Sequence, residues 1–168
     1  MLLLLRFLHI ISGVFWVGGS LFAARFMVPS LKAAGPAAGP VLAELGKRRL
    51  PVSMLGAALV NVASGIWLML LVSGGALDVW MGTPMGRTLG IGGGLAILVV
   101  ILSVAVGMPA NARMARISAA ARQRGGPPSA EEAKELERLQ ARSALVAMTG
   151  SVLLFLATTA MAVARYVP

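Results

Sequence analysis

The sequence predicts an all-α fold, an integral membrane four-helix bundle formed by a single domain of residues 1–168. Hydrophobic residues make up 58% of the chain and charged residues only 12%, whereas about one-quarter of a soluble domain is charged. The mean hydropathy is +0.85. Four apolar stretches, at residues 2–28, 50–72, 85–109 and 143–164, are each long enough to cross a hydrocarbon core of about 30 Å.

The basic residues predict how these helices are oriented. Twelve of the fifteen lysines and arginines flank the loops after the first and third stretches, and the opposite side holds only Arg6, Arg87 and Arg165. By the positive-inside rule both basic loops are cytoplasmic, and both termini lie outside. The net charge of +9 is therefore a signal of topology and not of nucleic-acid binding. The expected partner is a lipid bilayer.

The first stretch resembles a signal peptide only superficially. No basic segment precedes it, and it is longer than the signal-peptide core of about 7–15 residues. We therefore expect it to remain in the protein as a spanning helix.

Helical composition continues beyond the membrane after the third stretch and before the fourth. The segment NARMARISAAARQR has no helix breaker until GGPP, and Ser129 and Glu132 have the spacing of a capping box. We expect helices at about residues 2–28, 50–72, 85–124 and 130–166, with the last two extended into a cytoplasmic helical hairpin. Pro109 lies inside the third helix and is expected to kink it.

The signatures of common enzymes are missing from the sequence. There is no cysteine, which excludes disulfides, iron–sulfur clusters, thiolate zinc sites and covalently attached haem. No carboxylate falls within a predicted span, although proton-coupled transporters and intramembrane hydrolases generally need one. There is also no P-loop, dinucleotide fingerprint or HExxH motif. We therefore expect no enzymatic activity.

His9, the single histidine of the chain, is expected about two helical turns, roughly 10 Å, below the membrane surface. It shares one stripe of the first helix with Arg6, Gly13 and Trp16. Arg6 can extend its guanidinium to the interface, whereas the shorter His9 should face other helices. Three interpretations stay open: a packing histidine hydrogen-bonded to Asn61, a serine or a backbone carbonyl; an axial ligand of haem b; or a Cu(I) ligand completed by methionines.

The three arginines of the outer side bear on the haem interpretation. Arg6, Arg87 and Arg165 belong to the first, third and fourth helices, where they either mark helix ends or together bind propionates, a lipid phosphate or another anion. One histidine cannot supply both axial ligands in a monomer. The iron would need a methionine, an open position or His9 of a second copy.

Four further residues are candidates for helix packing. Gly86, Gly90 and Gly94 recur every four residues, which aligns them on one face and lets another helix approach closely. Asn61 is expected near mid-membrane, where a hydrogen bond between helices contributes about 0.6–2 kcal/mol.

The segment LRFLHIISGVFWVGG, with Leu-His followed by Trp-x-Gly, resembles the first helix of small bacterial four-helix membrane proteins of the CopD-like and HemJ-like type. ASGIWLM and MAVARYVP are similar to CopD-like members. The HemJ-like resemblance implies that His9 ligates haem b, and the CopD-like resemblance implies copper handling. HemJ-like oxidases also use an intramembrane lysine, whereas Lys32, Lys47 and Lys134 all lie in predicted loops here.

These observations lead to two functional expectations. The first is a redox-associated membrane protein that binds haem b through His9. The alternative is a structural accessory subunit that packs, as a homodimer or within a larger membrane complex, through its glycine-rich faces. Copper or small-solute transport is a third interpretation, and its polar pathway would consist of Asn61, Ser64 and Thr158.

Overall fold

The structure is a computed structural model that describes residues 1–167, the side chain of Pro36 excepted. Six longer helical elements are α1 Leu2–Ala34, α2 Ala38–Lys47, α3 Leu50–Val72, α4 Leu77–Met81, α5 Pro84–Gln123 and α6 Ala130–Tyr166, and a 3₁₀ turn at Gly35–Ala37 joins the first two. Helices α1, α3, α5 and α6 are long and apolar enough to cross a membrane. The prediction of an all-helical chain with four helices able to span a membrane is confirmed.

The four long helices share one core. Both α1 and α5 pack against α3 and α6, so α1 and α5 lie at opposite corners of the arrangement. The centre of the core consists of Trp16 from α1, Ala58 from α3, Ala96 and Val99 from α5, and Leu154 from α6. One large indole against mostly small side chains lets the helix backbones approach closely.

The outer surface of the spans is apolar. Only 6–22% of the residues in the most apolar part of each span are buried inside the protein. Phe7, Phe15 and Phe155 are 49–59% exposed. A continuous apolar surface of this size favours aggregation in water, whereas the hydrocarbon core of a bilayer solvates it.

Helix α1 continues to Ala34, and the predicted end near residue 28 is wrong. Pro29 lies inside the helix and lacks the N–H that the preceding turn needs. A π-helical turn at Ala23–Met27 absorbs this defect: the Val28 N–H donates to the carbonyl of Ala23, five residues back. The α-helix then resumes with the proline in its first turn, where a missing N–H costs least.

Pro109 is accommodated in the same way. A second π-helical turn, Ser103–Gly107, precedes it, and the Met108 N–H donates to the carbonyl of Ser103. The sequence predicts a helix distortion at this proline, and the structure shows that the distortion is a π turn. Such turns occur often at functional sites.

The far ends of α5 and α6 form an antiparallel hairpin, as the sequence predicts. The Ser129 hydroxyl accepts from the Glu132 N–H, and the Glu132 carboxylate accepts from the Ser129 N–H, which completes the capping box. Ion pairs join Arg113 to Glu135 at 2.8 Å and Arg124 to Glu132 at 2.6 Å. Glu135 thus pairs with an arginine of the other helix of the hairpin.

Candidate functional site

His9 is half-buried on the face of α1 that packs against α3. Its Nδ1 lies 2.9 Å from the backbone carbonyl oxygen of Asn61 and 3.3 Å from Oγ of Ser64. Asn61 reciprocates, because its Nδ2 donates to the backbone carbonyl of His9 at 2.7 Å. Each of the two polar side chains therefore bonds to the backbone of the other helix.

Ser64 completes the polar cluster. Its hydroxyl donates to the backbone carbonyl of Val60 at 2.6 Å and lies 3.0 Å from that of Asn61. Asn61 and Ser64 are 8% and 5% exposed, and no buried side-chain nitrogen or oxygen among residues 1–167 lacks a hydrogen bond. The neighbours of His9 are those that the packing interpretation predicts: an asparagine, a serine and a backbone carbonyl.

The same geometry determines the tautomer of His9. A carbonyl oxygen can only accept, so Nδ1 carries the proton when the imidazole is neutral. Nε2 then holds a free lone pair. No hydrogen bond within the described chain occupies this nitrogen, and the atom keeps some accessible surface. Metal-ligating histidines typically have this arrangement, with one nitrogen held by a carbonyl and the other facing the metal.

Two glycines make room for the pair. A Cβ at Gly65 would lie 2.9 Å from Cε1 of His9, and a Cβ at Gly13 would lie 2.8 Å from Nδ2 of Asn61. On each helix the glycine follows the polar residue by four positions, which places both on one face. The side chain of each helix thus occupies a recess in the other. Gly65 is not among the residues predicted from the sequence, although the four-residue spacing that it shares with Gly13 is a signal that identifies it.

The three arginines assigned to an anion site are all exposed. Arg6 and Arg87 lie on α1 and α5, at opposite corners. Arg165 donates to the hydroxyl of Tyr166, and its guanidinium lies 4.6 Å from the centroid of that ring. Within residues 1–167 no hydrogen bond or ion pair joins these arginines to a common partner. Arg87 lies on α5, which contacts the Ala164–Tyr166 turn that holds Arg165.

The glycines predicted to face a neighbouring span have other surroundings. Gly86 and Gly90 lie against the short helix α4, and Gly94 has no neighbour within 4 Å. The close approach to α6 occurs at Gly92, where a Cβ would lie 3.1 Å from the carbonyl oxygen of Ala157. The four-residue spacing thus predicts a close contact for these glycines. Gly86 and Gly90 make it with the connecting helix α4, whereas Gly94 makes none with the described residues.

Comparisons of the chain with protein-family models, curated proteins and solved structures found no match. The likeness of the first helix to CopD-like and HemJ-like proteins stays a prediction. Residues 1–167 contain no group of three or more histidine, cysteine or acidic side chains that could hold a metal ion. The site of one chain therefore offers a single oriented imidazole in an apolar setting.

We predict that Gly13→Ala and Gly65→Ala each destabilise the protein by about 1–3 kcal/mol, because the added methyl displaces the Asn61 amide or the His9 ring. Gly18→Ala and Gly56→Ala are matched controls on the same helices, since a Cβ at either position meets nothing within 4 Å. Their higher helix propensity raises stability by up to about 1 kcal/mol. Unfolding by SDS titration in mixed micelles, followed by circular dichroism, measures all four. Equal effects at the four positions would contradict the recesses.

Proposed function

We propose that this chain is a redox-associated, non-enzymatic membrane protein that binds haem b, with Nε2 of His9 as an axial ligand. The observation that carries the proposal is the bond from Nδ1 to the Asn61 carbonyl, which leaves Nε2 as the free nitrogen. Neutral imidazole is a common iron ligand. A hydrogen bond at its other nitrogen orients the ring and raises its basicity. When bound, the haem would supply one-electron transfer.

One chain supplies one histidine ligand for such a haem site. His9 has the right chemistry and orientation, but it is the only histidine of the chain. A half-open cavity between the four long helices extends from Trp16 in the direction away from His9. We therefore place the haem between two chains, with the second ligand supplied by His9 of another copy or by a different subunit. In each chain Asn61 and Ser64 would hold the ring, and the apolar surface around it would exclude water.

The spectrum of the detergent-purified protein tests this proposal. Oxidised and dithionite-reduced wild type should show a Soret band with haem b α and β bands, and His9→Ala should lose them at unchanged expression and helix content. Ser12→Ala is the matched control, because the Ser12 hydroxyl bonds only to carbonyls of its own helix. A site shared between two copies binds one haem per two chains. Wild-type protein that is colourless after haem is supplied during expression would contradict the proposal.

The proposed orientation places both termini outside a bacterial inner membrane and the α5–α6 hairpin in the cytoplasm. Its support is the split of basic residues, twelve on the side of α2 and the hairpin against three on the other. Because the chain has no cysteine, single-cysteine variants report on each side. A membrane-impermeant maleimide should label Ala76→Cys in intact cells and Gly126→Cys only after lysis. The reverse pattern would overturn the orientation.

A structural accessory subunit is the second candidate. The observation that favours it is the open space at Gly93 and Gly94 on α5, where a Cβ meets nothing within 4 Å and a helix of another protein can approach closely. In that case the wild type is colourless and co-purifies with larger membrane subunits, and Gly94→Leu releases them.

Transport has less support, since Thr158 bonds to its own helix at the Leu154 carbonyl and is exposed on the outer surface.

A further inference from the structure

A half-open cavity of about 390 Å³ lies between the four long helices, and its volume is within the range of about 300–1,000 Å³ that is usual for small-molecule sites. It extends along α1 from Trp16 to Ala23 and along α3 from Ala58 to Pro51, in the direction away from His9. Trp16 therefore separates the cavity from the polar cluster around the histidine.

The two ends of the cavity differ in character. At one end Trp16 and Leu154, which are 5% and 1% exposed, form an apolar floor. At the other end the Ser143 hydroxyl donates to Oδ1 of Asn111 at 2.9 Å. None of the described residues that line the cavity is charged. A charged ligand would lose its hydration there without compensation, so the occupant is neutral.

Two hydroxyl groups in the wall have no partner. Of the four lining serines, Ser143 bonds to Asn111 and Ser151 donates to the backbone carbonyl of Met148. Within residues 1–167, the Ser20 and Ser103 side chains make no hydrogen bond. Ser20 belongs to α1 and Ser103 to α5, the helices at opposite corners, so the cavity presents free donors from two sides.

Both π turns also contribute to the wall. Ala23 begins the first and lines the cavity, as do Ser103 and Gly107, which begin and end the second. A π turn contains one residue more than an α turn, which widens the helix and rotates the residues beyond it. The two distortions thus lie where the four-helix core opens.

We propose that this cavity binds a neutral, ring-sized apolar molecule with two carbonyl acceptors, of the quinone class. The apolar walls and the Trp16 indole suit a flat ring, and the Ser20 and Ser103 hydroxyls donate to its carbonyl oxygens. An acyl chain of a lipid fits the apolar volume but has no acceptor for these donors. The site does not involve His9, so its occupancy does not depend on the haem proposal.

Trp16 fluorescence tests the assignment with a decyl-substituted benzoquinone as the probe. A Trp67→Phe/Trp80→Phe background leaves Trp16 as the only tryptophan, and the protein is reconstituted in nanodiscs with empty nanodiscs to correct for partition. Quenching should be saturable. Ser20→Ala/Ser103→Ala should raise the Kd about tenfold, as expected for two lost hydrogen bonds. Ser30→Ala/Ser118→Ala, outside the cavity, should leave it unchanged.

The same quinone should also raise the thermal midpoint of otherwise unmodified protein, which tests the site if the tryptophan variants fold poorly. Decanol has the alkyl chain of the probe but no quinone ring. It should not displace the quinone, and it should raise the thermal midpoint less than the quinone does. Quenching that does not saturate, an unchanged Kd in Ser20→Ala/Ser103→Ala, or equal competition by decanol would overturn the proposal. Equal competition would make the cavity an acyl-chain site.

Discussion

A polar side chain in hydrocarbon must find its partners within the protein, and the reciprocal bonds between His9 and Asn61 are how α1 and α3 meet this constraint. Each side chain reaches the backbone of the other helix, which requires the backbones to lie close together and explains the glycines at positions 13 and 65. A shift of one residue along either helix would break both bonds and place a methyl or larger group in each recess. The pair therefore sets the register of α1 on α3. It also sets the direction in which Trp16, on the same stripe of α1, enters the core.

The two halves of the chain have a similar backbone plan and different polar content. In both α1 and α5 a π turn precedes a proline, and Pro109 follows Ser103 at the same interval as Pro29 follows Ala23. Each of these helices packs against the long helix that follows it. The sequence shows no convincing repeat, because the backbone distortion recurs while the side chains around it differ. The reciprocal His9–Asn61 bonds join the spans of the first pair. The second pair approaches closely at Gly92 and makes its polar bonds toward the hairpin, as between Asn111 and Ser143. The chemistry at His9 thus belongs to one half, whereas the cavity draws on both.

Features that depend on local pattern were predictable from the sequence, and features that depend on which neighbour is present were not. Four long apolar runs predict the spans, and Ser129 with Glu132 predicts the start of α6 because a capping box involves only adjacent backbone. The predicted end of α1 near Pro29 is wrong because a π turn lets the helix continue through the proline. Amino-acid composition does not indicate where such a turn forms. The partner of Gly94 and the role of Gly65 depend on the rotation of whole helices against each other. The sequence of a single helix does not predict the cavity, because each of the four long helices contributes a part of its wall.

The packing of α1 on α3 and the proposed ligand role of His9 both depend on the tautomer of its imidazole. Because the chain has a single histidine, that tautomer can be measured directly. The experiment is solid-state NMR of haem-free protein, labelled with ¹⁵N-histidine and reconstituted in lipid. For the neutral ring we expect one tautomer, with Nδ1 protonated and Nε2 unprotonated, and a contact from Nδ1–H to the carbonyl carbon of Asn61. An Nε2-protonated ring, or two tautomers in exchange, would contradict the bond on which both the packing of α1 and the proposed ligand role of His9 depend.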